Sequence, residues 1–231
     1  MHTMLQTENA QLRENVTMEC NNTYNRLCLS GWIQDVPSFS HSLYGEAFYS
    51  FYLIAPRLSG AEDILPVTIS ERLLIRLPGV GEAVEIDGQL RSYNRHLNGT
   101  NRLIVTVFAR AVVPKAQTAP FINEIVLTGY ICKPPVYRTT PFQREITDLL
   151  VAVNRPYHKS DYLPVITWGR NAHVANDLEV GTCVRITGRV QSRSYQKLLP
   201  SGETITRIAY EVSANSVERM RSQLEPFERE L

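Results

Sequence analysis

The chain has 231 residues, 43% of them hydrophobic, with 24 Lys and Arg against 23 Asp and Glu, enough apolar content to fill two small domains of roughly 100 residues each. Near-neutrality excludes a chain coated in positive charge, so any polyanion-binding surface must be local. The sequence contains no Gly-rich phosphate loop, HExxH, GxSxG or paired-carboxylate motif, no metal-ligand spacing, and no run near the roughly 18 apolar residues of a membrane span. The expectation is a protein that is not an enzyme, with no catalytic residue, no cofactor, no metal and no membrane partner.

Residues 1–23 open with MHTMLQTENAQLRENV, which is polar and has no apolar signal core, and read as a flexible leader. A first domain is expected over 24–113. It contains Leu29-Ser30-Gly31-Trp32-Ile33, Pro66-Val67, the apolar helix SERLLIRL, Val84-Glu85-Ile86-Asp87-Gly88, and Tyr93 flanked by Arg91 and Arg95, with Asn98-Gly99 as a turn. Residues 114–122, beginning with the proline-bounded PKAQTAP, read as a short linker. A second domain follows over 123–217 and repeats the landmarks of the first. Leu127-Thr128-Gly129-Tyr130-Ile131, Pro164-Val165 and Val184-Arg185-Ile186-Thr187-Gly188 lie 98, 98 and 100 residues beyond their counterparts. Tandem duplication is the simplest account. The tail, 218–231, is helical in character with mixed charge.

The copies differ where chemistry is at stake. Residues 1–115 hold ten basic residues against eleven acidic, and residues 116–217 hold eleven against eight. The second copy is therefore the better polyanion binder. From Cys183 its strand alternates, with Val184, Ile186, Gly188 and Val190 on one face and Arg185, Thr187, Arg189, Gln191, Arg193 and Tyr195 on the other. The preceding strand places Tyr162 and Trp168 on one side, opposite Leu163, Val165 and Thr167, with Arg170 two residues further on. Aromatic faces combined with guanidinium groups supply stacking, cation–π contact and phosphate neutralisation, as single-stranded nucleic acid requires. The first copy has Ile64 and Ser70 where the second has Tyr162 and Trp168, and it reads as the architectural or interface copy, with Tyr93 its one retained stacking position. The cysteines, Cys20, Cys28, Cys132 and Cys183, form no CxxC pair and read as free thiols.

Over 123–217 the sequence resembles the bacterial single-stranded DNA-binding proteins built on the oligonucleotide-binding (OB) fold. Five blocks occur in the family's order: NEIVLTGYI, LLVAVNRPY, DYLPVITWGRNA, VGTCVRITGRVQSRSY and AYEVSANSVE. The resemblance implies base stacking on Tyr157, Tyr162, Trp168 and Tyr195, with phosphates meeting Arg155, Lys159, Arg170, Arg189 and Arg193. Two departures stand out: Tyr130 follows the first-strand Gly where the family has a basic residue, and RTTPFQRE replaces a Gly-bearing loop. The expected fold is all-β, two tandem five-stranded Greek-key OB barrels, each with a short helix after the third strand. The resemblance also implies sequence-independent protection of single-stranded DNA in replication, recombination, repair or transfer, contact with replication or recombination proteins, and a bacterial cytoplasmic, nucleoid-associated location. Because one-barrel relatives assemble as tetramers, a homodimer is expected here. RNA binding by the same barrel, and a protein-interaction module whose aromatics are core, are the competing readings.

Overall fold

The computed structural model describes residues 24–97, 100–116, 118–199 and 202–220; the predicted leader and residues 221–231 of the predicted tail lie outside them. The first domain contains β1 (Asn25–Ile33), β2 (Ser38–Leu43), β3 (Glu46–Pro56), β4 (Glu62–Ser70), the single-turn helix α1 (Glu71–Leu74), β5 (Ala83–Leu97) and β6 (Thr100–Pro114). The second repeats the order with β7 (Asn123–Ile131), β8 (Val136–Thr139), β9 (Glu145–Arg155), β10 (Lys159–Trp168), α2 (Arg170–Asn176), β11 (Cys183–Leu198) and β12 (Thr204–Arg219). Each barrel closes by pairing its first strand with both its long third strand and the following hairpin, β1 with β3 and β5, β7 with β9 and β11. One strand per copy exceeds the five expected. The short β2 and β8 turn what the sequence presents as a loop into an outer edge paired with β3 and β9.

The strands form as their alternation dictates. In β10, Asp161, Leu163, Val165 and Thr167 are buried while Tyr162 is exposed and Trp168 half-buried. Gly31 and Gly129 sit where their barrels close, and a Cβ on either would collide with the backbone carbonyl of Ile54 or Ala152. This close approach explains why the repeat keeps glycine there.

The two barrels are joined edge to edge. β1 pairs antiparallel with β7, Leu27 opposite Ile125 and Asn25 opposite Leu127, so all twelve strands form one sheet and the two cores merge. The first barrel thus packs against the second within a single chain. The connecting segment is docked rather than free. Phe121 packs on Trp32 with ring centroids 4.4 Å apart, and Ile122 N–H donates to Ser30 Oγ at 2.6 Å. Cys28 and Cys132 are free and half-buried, whereas Cys183, expected as a free thiol, is disulfide-bonded. Cys20 lies outside the described residues.

Candidate nucleic-acid interface

The four predicted aromatics all reach solvent. Tyr157 is 91% exposed at the tip of the β9–β10 hairpin, where Arg155 pairs with Lys159 across three residues. Tyr157 and His158 adopt φ of 64° and 54°. Two successive non-glycine residues in the left-handed region cost about 1–2 kcal/mol each, and the hairpin holds Tyr157 clear of the barrel. Tyr162, 43% exposed, and Trp168 stand on one face of β10, roughly 20 Å apart at 3.3 Å per residue. The Trp168 indole N–H donates to Ser213 Oγ at 3.2 Å, fixing the ring while leaving it half-open. Tyr195 is 38% exposed on β11, with the Arg193 guanidinium 5.9 Å from its ring centroid.

The five predicted basic residues divide into two groups. Lys159 and Arg170 are exposed and pair with no carboxylate among the described residues. The other three are held by acids. Arg193 forms a two-pronged pair with Glu211, at 2.9 and 3.0 Å, which raises the guanidinium's pKa. Arg189 reaches Asp63 at 3.5 Å and donates to Gln191 at 2.9 Å. Arg155 Nε lies 3.2 Å from Asp161 without the alignment of a hydrogen bond.

Asp63 and Asp161 are the residues that sequence reasoning missed. Both are fully buried and each binds the opposite barrel. Asp161 accepts Ser92 N–H at 2.7 Å and faces Arg91 at 3.4 Å; Asp63 accepts Ser192 N–H at 2.6 Å and pairs with Arg57. Burial pushes the Asp161 carboxyl above the usual range, against the pull of Ser92 N–H, Arg155 and Arg91. Burial also lowers the Arg189 and Arg91 pKa values, with Arg57 pushing Arg189 the same way and Arg155 and Arg110 adding to the fall at Arg91. The signal lay in the repeat, since Asp63-Ile64-Leu65-Pro66 recurs as Asp161-Tyr162-Leu163-Pro164.

This joint also corrects the alignment of the copies. Asn25 bonds Leu90 and Asn123 bonds Val190, while Asp161 bonds Ser92 and Asp63 bonds Ser192. Both correspondences run at an offset of 100. Tyr93 is therefore the counterpart of Arg193, and Arg95 that of Tyr195. The short Arg-Ser-Tyr match suggests otherwise, but the Gly88 and Gly188 bulges set the register.

Two tandem closed Greek-key barrels define the chain as a double OB-fold protein. Residues 122–220 match the model of the single-strand binding protein family. The chain is thus an OB-fold protein like the bacterial single-stranded DNA-binding proteins, with the barrel present twice and the second copy matched by the family. It is 31% identical to a single-stranded DNA-binding protein of Caldanaerobacter subterraneus over 94 residues, 38% of this chain and 63% of that relative. It is 33% identical to single-stranded DNA-binding protein A of Bacillus subtilis over 104 residues, 42% of this chain and 58% of the relative. The chain therefore spans about three fifths of the length of these relatives. In fold it is similar to a deletion mutant of the single-stranded DNA binding protein from Thermus aquaticus, with TM-score 0.71 and 22% identity, covering 90% of this chain and 100% of that one. Among the described residues no helix is long and apolar enough to cross a membrane.

Proposed function

We propose that the chain binds single-stranded DNA without sequence preference, on the sheet face of its second barrel, in replication, recombination, repair or transfer. The observation that carries this reading is the set of exposed Tyr157, Tyr162 and Tyr195 and half-buried Trp168, on a barrel whose sequence matches the single-strand binding family. Bases stack on these four rings, and no bond is made or broken. Lys159 and Arg170, which have no carboxylate partner among the described residues, are the cations that phosphates meet first. Arg155, Arg189 and Arg193 enter as charges already oriented by Asp161, Asp63 and Glu211, and they meet the backbone only by sharing those partners. The location that fits is cytoplasmic, with replication or recombination proteins as partners.

A homodimer would place four barrels in one particle. The first-strand edges are already paired within the chain, so contact falls on another surface. The exposed Val36, Ile75 and Val80 of the first barrel offer an apolar one. Fluorescence anisotropy with labelled dT, RNA and duplex strands of equal length tests the function. Tight binding of the unpaired DNA alone or most strongly supports it. Preference for RNA favours the alternative ligand, and binding of none refutes both.

A further inference from the structure

A deep groove lies not on the second barrel's predicted binding face but against the first barrel. It measures about 1130 Å³, floored by β3, β4 and β6 and walled by the β11–β12 hairpin of the second barrel. That volume exceeds the roughly 300–1,000 Å³ of small-molecule sites and suits a polymer. Its rim carries Phe39, Tyr52 and Tyr93 from the first barrel, all exposed, and Tyr195 from the second. None of the three first-barrel rings occupies a position equivalent to the second barrel's stacking residues; comparison of the copies points to Tyr93 only through a shifted register and does not reveal Phe39 or Tyr52.

Charge points to the same occupant. Arg95, Arg102 and Arg207 line the groove and make no ion pair among the described residues, against the single carboxylate of Asp35. Arg95 and Arg102 stand directly opposite each other in the β5–β6 ladder. Like charges in that position repel, and an anion between them would relieve the repulsion. Arg155, Arg189 and Arg193 of the second barrel are matched to acids, whereas these three are left for a ligand.

We propose that this groove is a second single-strand binding tract, built jointly by both barrels and entered across Tyr195, so that the first barrel takes up nucleotides rather than serving only as architecture. The proposal rests on the function argued above. Bases stack on Phe39, Tyr52 and Tyr93, and phosphates pass between Arg95, Arg102 and Arg207.

The test compares the full chain with two variants, Phe39→Ala/Tyr52→Ala and Arg95→Ala/Arg102→Ala. It measures the length of poly(dT) covered per chain and the affinity for a short dT strand, about one barrel's site, and a long strand spanning two. Both variants are expected to cover fewer nucleotides, by about the 4–16 that one OB fold occupies, and to lose roughly tenfold or more in affinity for the long strand. Affinity for the short strand should stay within about twofold, since a second barrel alone satisfies it. Unchanged covered length and long-strand affinity in both variants overturn the groove while leaving the function of the second barrel standing. Failure of the wild-type chain to bind either strand overturns both.

Discussion

Removing the Asp161 carboxylate should uncouple the two barrels. Asp161 is fully buried and touches three groups, Ser92 N–H at 2.7 Å, Arg155 at 3.2 Å and Arg91 at 3.4 Å. Asp161→Ala leaves a buried backbone donor and two guanidinium groups without their acid. Breaking a buried pair costs about 3–5 kcal/mol. Because the guanidinium groups keep 29% and 22% of their side-chain exposure, water screens part of that loss and about 2–4 kcal/mol is expected. Asp161→Asn keeps an oxygen for Ser92 N–H and should lose less, about 1–2 kcal/mol. Urea unfolding reads both, with Trp32 reporting on the first barrel and Trp168 on the second through single Trp→Phe backgrounds. The expected result for the alanine variant is a lowered midpoint and separation of the two reporters, which coincide in the wild type. A loss below about 1 kcal/mol, with the two reporters still coincident, would refute the idea that this carboxylate holds the joint.

The raised Asp161 pKa gives a pH dependence of defined sign. Between the unfolded value near 3.9 and the higher folded one, the native state holds more protons, so this group's contribution to stability falls as pH rises through that window. Relative to Asp161→Asn, the wild type should gain stability on acidification into the window, and a relative loss in urea midpoint would contradict the shift. Replacing Lys159 and Arg170 together by Ala should flatten the slope of log K against log salt by about 0.7 for each phosphate no longer neutralised; an unchanged slope would place both side chains away from the DNA backbone. Light scattering at micromolar concentration should give about twice the single-chain mass of 26.2 kDa, and Ile75→Asp with Val80→Asp should return it to one chain. A wild-type mass near 26.2 kDa would sink the dimer.

Much of the fold is legible in the sequence because strand parity and the internal repeat are properties of sequence. Period-two alternation places Leu163, Val165 and Thr167 inside and Tyr162 outside, as the structure has them. The short β2 and β8 escape because they are only six and four residues long and exposed throughout, so no core face marks them as strands. The RTTPFQRE loop shows a similar limit. Gln143 takes φ of 60°, a left-handed conformation that favours glycine, so the hairpin forms without the residue that usually signals it. Of the site, the residue types are readable but their partners are not. Arg155, Arg189 and Arg193 look free in the sequence because Asp161, Asp63 and Glu211 approach them from another strand or the other barrel. Tyr93 is misplaced by the sequence because two residues added between Pro164 and Gly188 shift the copies from an offset of 98 to 100, which a three-residue match cannot detect. Phe39 and Tyr52 give no sign of themselves because they have no counterpart among the second copy's stacking positions.

Whether Trp168 and its neighbours stack bases or build core is decided by a titration with dT strands read by tryptophan fluorescence. The wild type should show saturable quenching. Trp168→Ala should weaken binding by roughly 1–3 kcal/mol, the contribution of one stacked base, with little change in melting temperature because the ring is half-open on its face of β10. Unchanged affinity in Trp168→Ala together with a large fall in melting temperature would make Trp168 a core residue and not a stacking platform.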